Sequence, residues 1–322
     1  MASDKTVLML TQEVDTHADQ VINELNERGV NVFRFHTFDF PQRSSITARM
    51  GSEQWDASIE YYHRLIRLDR ITSVWYRRPR AFELDPNMTV VERQFAGAEA
   101  REALGGLLRS MNCLWVNHPD RMVAADYKLL QLKIASSLGL EIPSTLITND
   151  PDEVHRFFER CEGQVIYKPM SSGMILSEDE NLTTIFTNRV LSQHLEEAYR
   201  VRYTPCLFQE NVPKKLELRI TIIGNHVFPA EIYSQDSERS ATDWRKSYMD
   251  LHYGVHRLPE EIHDKCLALI QYFGLAFAAV DMILTPDDRY VFLEVNSNGQ
   301  WSWIEQETGL PLCKAMADLL SS

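Results

Sequence analysis

Apolar positions recur along this chain with two alternating periods. Thr6–Thr11 is a continuous apolar run of strand length, and Ala18, Val21, Ile22 and Leu25 then fall at helical spacing before a stop at Gly29. Val30–Phe35 predicts a second strand, so the chain opens β-α-β, the signature of a parallel α/β unit. Ile71–Tyr76 predicts another strand, residues 90–111 a long helix, and Val116–Pro119 a linker. Helices are expected over 126–138, 152–161 and 191–199, and strands over 164–168 and 205–209. Leu216–Gly224 alternates, with Glu217 and Arg219 on one face and Leu218 and Ile220 on the other, and Val227–Tyr233 is its expected partner. A polar loop over 234–248 precedes an amphipathic helix, 259–273, and helices over 301–307 and 311–320 close the chain.

The most informative stretch is Ala276–Trp301. Two strand-like runs, AFAAVDMILT and YVFLEVN, flank the turn composition Pro286-Asp287-Asp288-Arg289. A hairpin with that four-residue loop places Thr285 opposite Tyr290 and Asp281 opposite Glu294, with Asn296 on the face of Glu294. Two carboxylates about 5 Å apart repel by roughly 3 kcal/mol at an effective dielectric of about 20, so a cation is expected between or beside them. Oxygen donors of this kind suit Mg2+, which is usually held by one or two carboxylates together with substrate phosphates. The alternative is an edge hairpin whose acids face water. The apolar neighbours Val280, Met282, Leu284, Leu293 and Val295 favour an internal hairpin.

Composition narrows the class. The chain has 322 residues, enough for two or three domains, and a net charge of −13, which disfavours nucleic acid and anionic membranes as partners. No apolar run reaches the length of a membrane span. The five cysteines are scattered and form no CxxC, as expected of a reduced, cytoplasmic protein. No GxGxxG follows the first strand, so the dinucleotide fingerprint is missing.

Basic positions offer further candidates. Arg77, Arg78 and Arg80 end the third strand and could hold a carboxylate or phosphate, or simply form an ion-paired face. Lys128 lies near a helix start, where an exposed lysine commonly serves solubility alone. Lys168 ends a strand before Pro169-Met170-Ser171-Ser172-Gly173, a small-residue loop able to cover phosphates.

The order of these parts resembles the ATP-grasp superfamily: a helix lysine, a strand lysine, a small-residue loop, FQENVP, ELR, DWR, then Asp followed by ExN. Within it, RFHTFDFP, SVWYRRP, KLLQLKIASSLGLEIPSTLITND, FQENVPKKLELRITIIG, DWRK and FLEVNSNGQWSWIE are similar to the microviridin-type peptide maturases, the graspetide ligases. Residues 45–70 and 171–200 match poorly, and Ser297 stands where that family usually has proline. The resemblance implies an α/β ATP-grasp fold: a Rossmann-like N-terminal domain (1–118), a central lid (119–209) and a C-terminal domain (210–322), with ATP clamped between the last two. It implies that Lys128 and Lys168 hold phosphates, that Gln209, Glu210 and Val212 border adenine, and that Glu217 lies near ribose. Arg219 would face the phosphoryl groups, Arg245 the reacting carboxylate, and Asp281, Glu294 and Asn296 would hold Mg2+.

The implied chemistry is phosphorylation of an Asp or Glu side chain of a ribosomally made precursor peptide (leader plus core), followed by displacement of phosphate. A Thr or Ser hydroxyl gives an ω-ester; a Lys amine, as in a sister branch, gives an amide. His252 and His256 are the nearest candidates for a base. Leader contacts are expected around 191–199, where Glu196 and Glu197 are the guesses, and relatives imply a homodimer. Two other classes fit part of the pattern: a ligase adding free amino acids to a peptide end, and a non-enzymatic nucleotide-binding module.

Overall fold

A computed structural model of the chain describes residues 6–51, 55–171, 173–176, 182–247 and 251–322. Strand β1 (Thr6–Leu10), helix α1 (Thr16–Glu27) and strand β2 (Asn31–Phe35) form the expected β-α-β opening. Asp15 caps α1 by accepting from the Ala18 N–H, and Gly29 leaves it with φ at +71°. Residues 45–70 carry an antiparallel meander that the sequence pattern did not reveal: β3 (Ser44–Met50), β4 (Trp55–Tyr61) and β5 (Arg64–Arg67). Its inner residues Ala57, Ile59 and Tyr61 pack with Leu8, Leu10 and Phe35. Strand β6 (Ile71–Tyr76), helix α2 (Val90–Arg109) and β7 (Leu114–Val116) complete a parallel sheet of order β2-β1-β6-β7. Thr89 and Glu92 start α2 with a reciprocal capping box.

The segment read as a linker, Val116–Pro119, is instead a clamp. Asn117 is 2% exposed; its side-chain amide donates to the carbonyls of Phe277 and Ser297 and accepts from the N–H groups of Ala276 and Phe277. Helices α3 (Pro119–Ala125) and α4 (Lys128–Ser137) follow. A second sheet is built from β8 (Thr145–Thr148), β9 (Val165–Lys168), β12 (Asn188–Val190) and β13 (Cys206–Glu210), in the order β12-β9-β13-β8, with helix α5 (Pro151–Arg160) between β8 and β9. Between β9 and β12, β10 (Met174–Leu176) and β11 (Leu182–Thr184) pair as a separate hairpin. The expected helix at 191–199 is a run of 3-10 turns over Ser192–Tyr203.

The third sheet carries several of the polar residues singled out from the sequence. Strands β14 (Leu216–Ile223), β15 (His226–Ile232), β16 (Tyr253–Val255), β17 (Phe277–Leu284) and β18 (Tyr290–Asn296) are antiparallel in the order β16-β15-β14-β17-β18. One face packs Leu218, Ile220, Val280 and Met282 against helix α6 (Glu260–Phe273) and against Leu132 and Ala135 of α4. The other face carries Glu217, Arg219, Asp281 and Asn296. Helices α7 (Ser302–Thr308) and α8 (Leu312–Ser321) close the chain, Trp301, Leu312 and Met316 packing on Val7, Val21 and Leu25 of the first sheet and α1. Among the described residues, no helix is long and apolar enough to cross a membrane.

Candidate active site

The β17–β18 hairpin brings Asp281 opposite Glu294, but by a different path from the simple count. Leu284, not Thr285, faces Tyr290, because Thr285 closes the turn by bonding to Arg289. The pairing runs Ile283–Val291 and Met282–Phe292, and a bulge then gives β18 one extra residue, Leu293. That residue offsets the slip at the turn and restores Asp281 to Glu294. Asn296 reaches back along β18, its Nδ2 lying 2.9 Å from Asp281 Oδ2 and 3.5 Å from Glu294 Oε1.

Cations already compensate the opposed acids. Arg219, paired with Asp281 across β14 and β17, donates from Nη1 to both of its carboxylate oxygens at 2.8 Å. Lys128, the first residue of α4, pairs through Nζ with Glu294 Oε2. Burial acts to raise the Glu294 pKa, but Lys128 and Lys168 outweigh it and hold the carboxyl well below its ordinary range. At Asp281 burial prevails over Arg219, and the pKa is raised. Among the described residues no cluster of three or more His, Cys, Asp or Glu side chains forms, so the converging donors are two carboxylates and one amide. The two carboxylates supply oxygen donors of the kind that suits Mg2+, which takes its remaining ligands from water and phosphates, while Asn296 turns its Nδ2 to both acids and would offer its Oδ1 only with the amide turned over.

These side chains floor a cleft of about 500 Å3 between the second and third sheets, a volume suited to a small-molecule ligand. Of the residues singled out from sequence, Lys128, Lys168, Gln209, Glu210, Val212, Glu217, Arg245, Asp281, Glu294 and Asn296 all line it. Arg219 does not: its guanidinium lies behind Asp281, where Nη2 also donates to the Gln300 carbonyl at 3.3 Å. Gly299 makes that position available, since a Cβ there would meet Arg219 Nη2 at 2.8 Å and the Ala279 Cβ at 2.6 Å.

Each wall has a local origin. Lys168 ends β9, and burial lowers its pKa to about 8 against the opposing pull of Glu294. The loop after it turns at Gly173, where φ is +71° and a Cβ would lie 2.7 Å from the Ile185 carbonyl oxygen. Ile166, Ile283, Leu293 and Val295 supply apolar surface beside the polar groups. Glu217, 5% exposed, accepts from Lys214 Nζ at 2.9 Å; burial nonetheless raises its pKa. Arg245 donates to Asp243 from Nε and Nη2, bonds that raise its pKa further.

Several contributors were not singled out from sequence. Lys214, in the FQENVPKK run, bridges Glu217 and the Thr242 carbonyl. Gln131 of α4 exchanges hydrogen bonds with both backbone groups of Val295 and so fixes β18 beside Glu294. Ser297 Oγ donates to Asp126 Oδ1 at 3.0 Å, a bond that a proline there would lack. His17, 5% exposed, accepts at Nε2 from the N–H groups of Trp301 and Ser302, at 2.9 and 3.0 Å.

Other expectations change with the geometry. Arg77 is wholly buried between the rings of Trp75 and Trp301, 3.4 Å from Asp15, and donates to Asn298 Oδ1; it is a structural cation. Arg80 stacks on Phe38. His256 bonds Glu231 and Tyr290, His252 lies near Asp236, and neither lines the cleft as a base would. Glu197 pairs with Arg200 on the surface.

Residues 6–122 match the MvdD pre-ATP grasp domain and residues 125–320 the RimK-like ATP-grasp domain. The chain is similar to the solved macrocyclase MdnC bound with precursor peptide MdnA from Microcystis aeruginosa MRC, at 32% identity and a TM-score of 0.87 over 98% of this chain and 99% of that one. It is also similar to a Chryseobacterium gregarium RiPP-associated ATP-grasp ligase in complex with ADP and a leader and core peptide, at 32% identity and a TM-score of 0.91 over 98% and 96% of the two chains. The alpha-aminoadipate–LysW ligase LysX of Sulfurisphaera tokodaii is 22% identical over 210 residues, 64% of this chain and 71% of that protein.

Proposed function

Because the chain belongs to the RimK-like ATP-grasp ligases, in the company of the RiPP peptide macrocyclases, and is thus an ADP-forming ligase, we propose that it closes rings in a ribosomally made precursor peptide. The bond proposed is an ω-ester between Asp or Glu side chains and Thr or Ser hydroxyls. The observation that supports this most is end-to-end similarity, pre-ATP-grasp domain included, to a macrocyclase holding its precursor peptide.

In this reading a core carboxylate enters the cleft beside Arg245. One of its oxygens bonds to the γ-phosphorus of ATP as the bond from that phosphorus to the ADP oxygen breaks. The hydroxyl oxygen then bonds to the acyl carbon as the bond from that carbon to the phosphate oxygen breaks, and inorganic phosphate leaves with the hydroxyl proton. Such transfers depend on positioning and charge neutralisation rather than on a protein nucleophile. Lys128 and Lys168 supply positive charge to the phosphates, Glu217 is placed for the ribose, and Gln209, Glu210 and Val212 border the base. Asp281, Glu294 and Asn296 would hold Mg2+, which supplies further neutralisation. Arg219 acts from behind, by holding Asp281. The leader is proposed to lie along the β10–β11 hairpin and residues 191–203, which expose Ile175, Leu191, Tyr199 and Tyr203. A homodimer is part of the proposal, and sedimentation tests it.

The deciding experiment incubates enzyme, ATP and Mg2+ with a precursor peptide of leader plus core, sought in the neighbouring reading frames. Loss of one water per ring, reversed by mild alkaline methanol with gain of methanol at the acidic residues, is expected. Linkages that survive methanol would reject the ester, and gain of an amino acid in place of water loss would reject macrocyclisation.

A further inference from the structure

Two parts of the cleft meet on Asp243. The residue is 4% exposed. Oδ1 accepts from Arg245 N at 3.2 Å and from Arg245 Nε at 2.8 Å, and Oδ2 accepts from Arg245 Nη2 at 2.7 Å. Oδ2 also accepts from the backbone N–H of Thr187 at 2.9 Å. Thr187 belongs to the second sheet, just before β12, whereas Asp243 and Arg245 belong to the loop after β15 of the third. Flanking contacts follow the same seam: Lys246 donates to Asn188 Oδ1 at 3.2 Å and lies over the Phe186 ring. Thr184, Ile185, Phe186 and Thr187 form one wall of the cleft, and Ile185 N is bonded to Gly173 of the loop that follows Lys168.

We infer that Asp243 is a positioning residue that couples seating of the 184–188 wall to the orientation of Arg245. The physical basis is a shared acceptor. When the wall is seated, the Thr187 N–H fixes the carboxylate plane and excludes water from it, and the same plane presents two acceptors to Nε and Nη2 of Arg245. That grip leaves Nη1 of Arg245 to face a ligand. When the wall lifts, the carboxylate loses an N–H partner and gains water, and the arginine loses its fixed fork. Coupling of this kind is reciprocal, so a ligand that seats the wall orients Arg245, and a ligand held by Arg245 seats the wall. The inference rests on the reading of the cleft as a nucleotide site.

The test uses ADP–Mg2+ as the ligand and needs no peptide. Amide hydrogen exchange over 184–188 and the rate of phenylglyoxal labelling of Arg245 are measured with and without ADP–Mg2+. Wild type is compared with Thr187→Pro, which deletes the donor but leaves Asp243 and Arg245 intact at a position before a strand, where proline is tolerated. In wild type ADP–Mg2+ is expected to slow both readouts together. In Thr187→Pro with ADP–Mg2+, exchange over 184–188 should stay fast and Arg245 should label about fivefold or more faster than in wild type. Wild-type labelling of Arg245 in a Thr187→Pro protein with a loosened wall would overturn the coupling. Asp243→Ala decides alone if Thr187→Pro does not fold: it must raise exchange over 184–188 with ADP–Mg2+ bound, and unchanged exchange there would reduce Asp243 to a local loop contact. Calorimetry separates the two readings. A wild type that fails to bind ADP–Mg2+ overturns both, whereas binding without the coupled response overturns only this inference.

Discussion

Arg219 Nη1 lies 2.8 Å from each carboxylate oxygen of Asp281, and both side chains are largely removed from water. Removing one partner of a buried pair leaves an uncompensated charge, here beside a second carboxylate, Glu294. Arg219→Ala should therefore lower unfolding free energy by about 3–5 kcal/mol, measured by denaturant titration. Turnover should fall more than ATP affinity, since Lys128 and Lys168, the lysines proposed to hold the phosphates, remain. A variant of wild-type stability would show that the pair carries no structural role.

Glu294→Gln separates the proposed metal role from repulsion. If the two opposed acids simply repelled each other, removing one charge would stabilise the nucleotide-free protein. With Lys128 paired to Glu294, the substitution instead leaves a half-buried lysine without its anion. The expected result is lost turnover together with an unchanged or lowered melting temperature. A clear rise in melting temperature would mean that Lys128 and Arg219 fail to offset the acids.

With Lys168 in its proposed phosphate-holding role, ATP binding should depend on pH. Its pKa, lowered by burial to about 8, means that the ammonium form weakens as pH rises through that value. Phosphate favours the charged form, so above pH 8 binding must take up a proton. ATP affinity should drop by about tenfold per pH unit above that point. Lys168→Arg should bind with a flat profile from pH 7 to about 9, because its guanidinium does not titrate there. Calorimetric titrations in buffers of different ionisation enthalpy would report the proton uptake directly.

His17 sets a pH dependence of stability. Burial, aided by Arg77, lowers its pKa from 6.5 to about 3, and its unprotonated Nε2 is the acceptor for Trp301 and Ser302. The folded-state pKa lies below the unfolded one, so this contribution is complete above about pH 6.5 and is lost as pH falls toward 3. Against wild type, His17→Gln should show a smaller fall in unfolding free energy over that window, at the cost of lower stability at pH 7. Parallel curves would rule out His17 as the titrating group.

Much of this protein was determined by sequence alone, because strand and helix periods report local burial. The β-α-β opening, the alternation of Leu216–Gly224 and the acidic hairpin of Asp281 and Glu294 all appear in the structure where the pattern put them. Motif order was specific enough to place ten of the residues now lining the cleft. Tertiary structure alone decided what long-range partners do to polar residues. A lone asparagine after a strand reads as a linker whether it faces water or, like Asn117, clamps backbone 160 residues away. Arg77 in RRPR reads as an anion holder or part of an ion-paired face until Trp301, from a distant segment, closes on it opposite its near neighbour Trp75. The pairing of Asp281 with Glu294 also needed the bulge at Leu293, since periodicity carries no record of one extra residue on one strand. Asp243 and Thr187 share a hydrogen bond only because two sheets meet across the cleft, and contacts between separately folded surfaces leave no period in either segment.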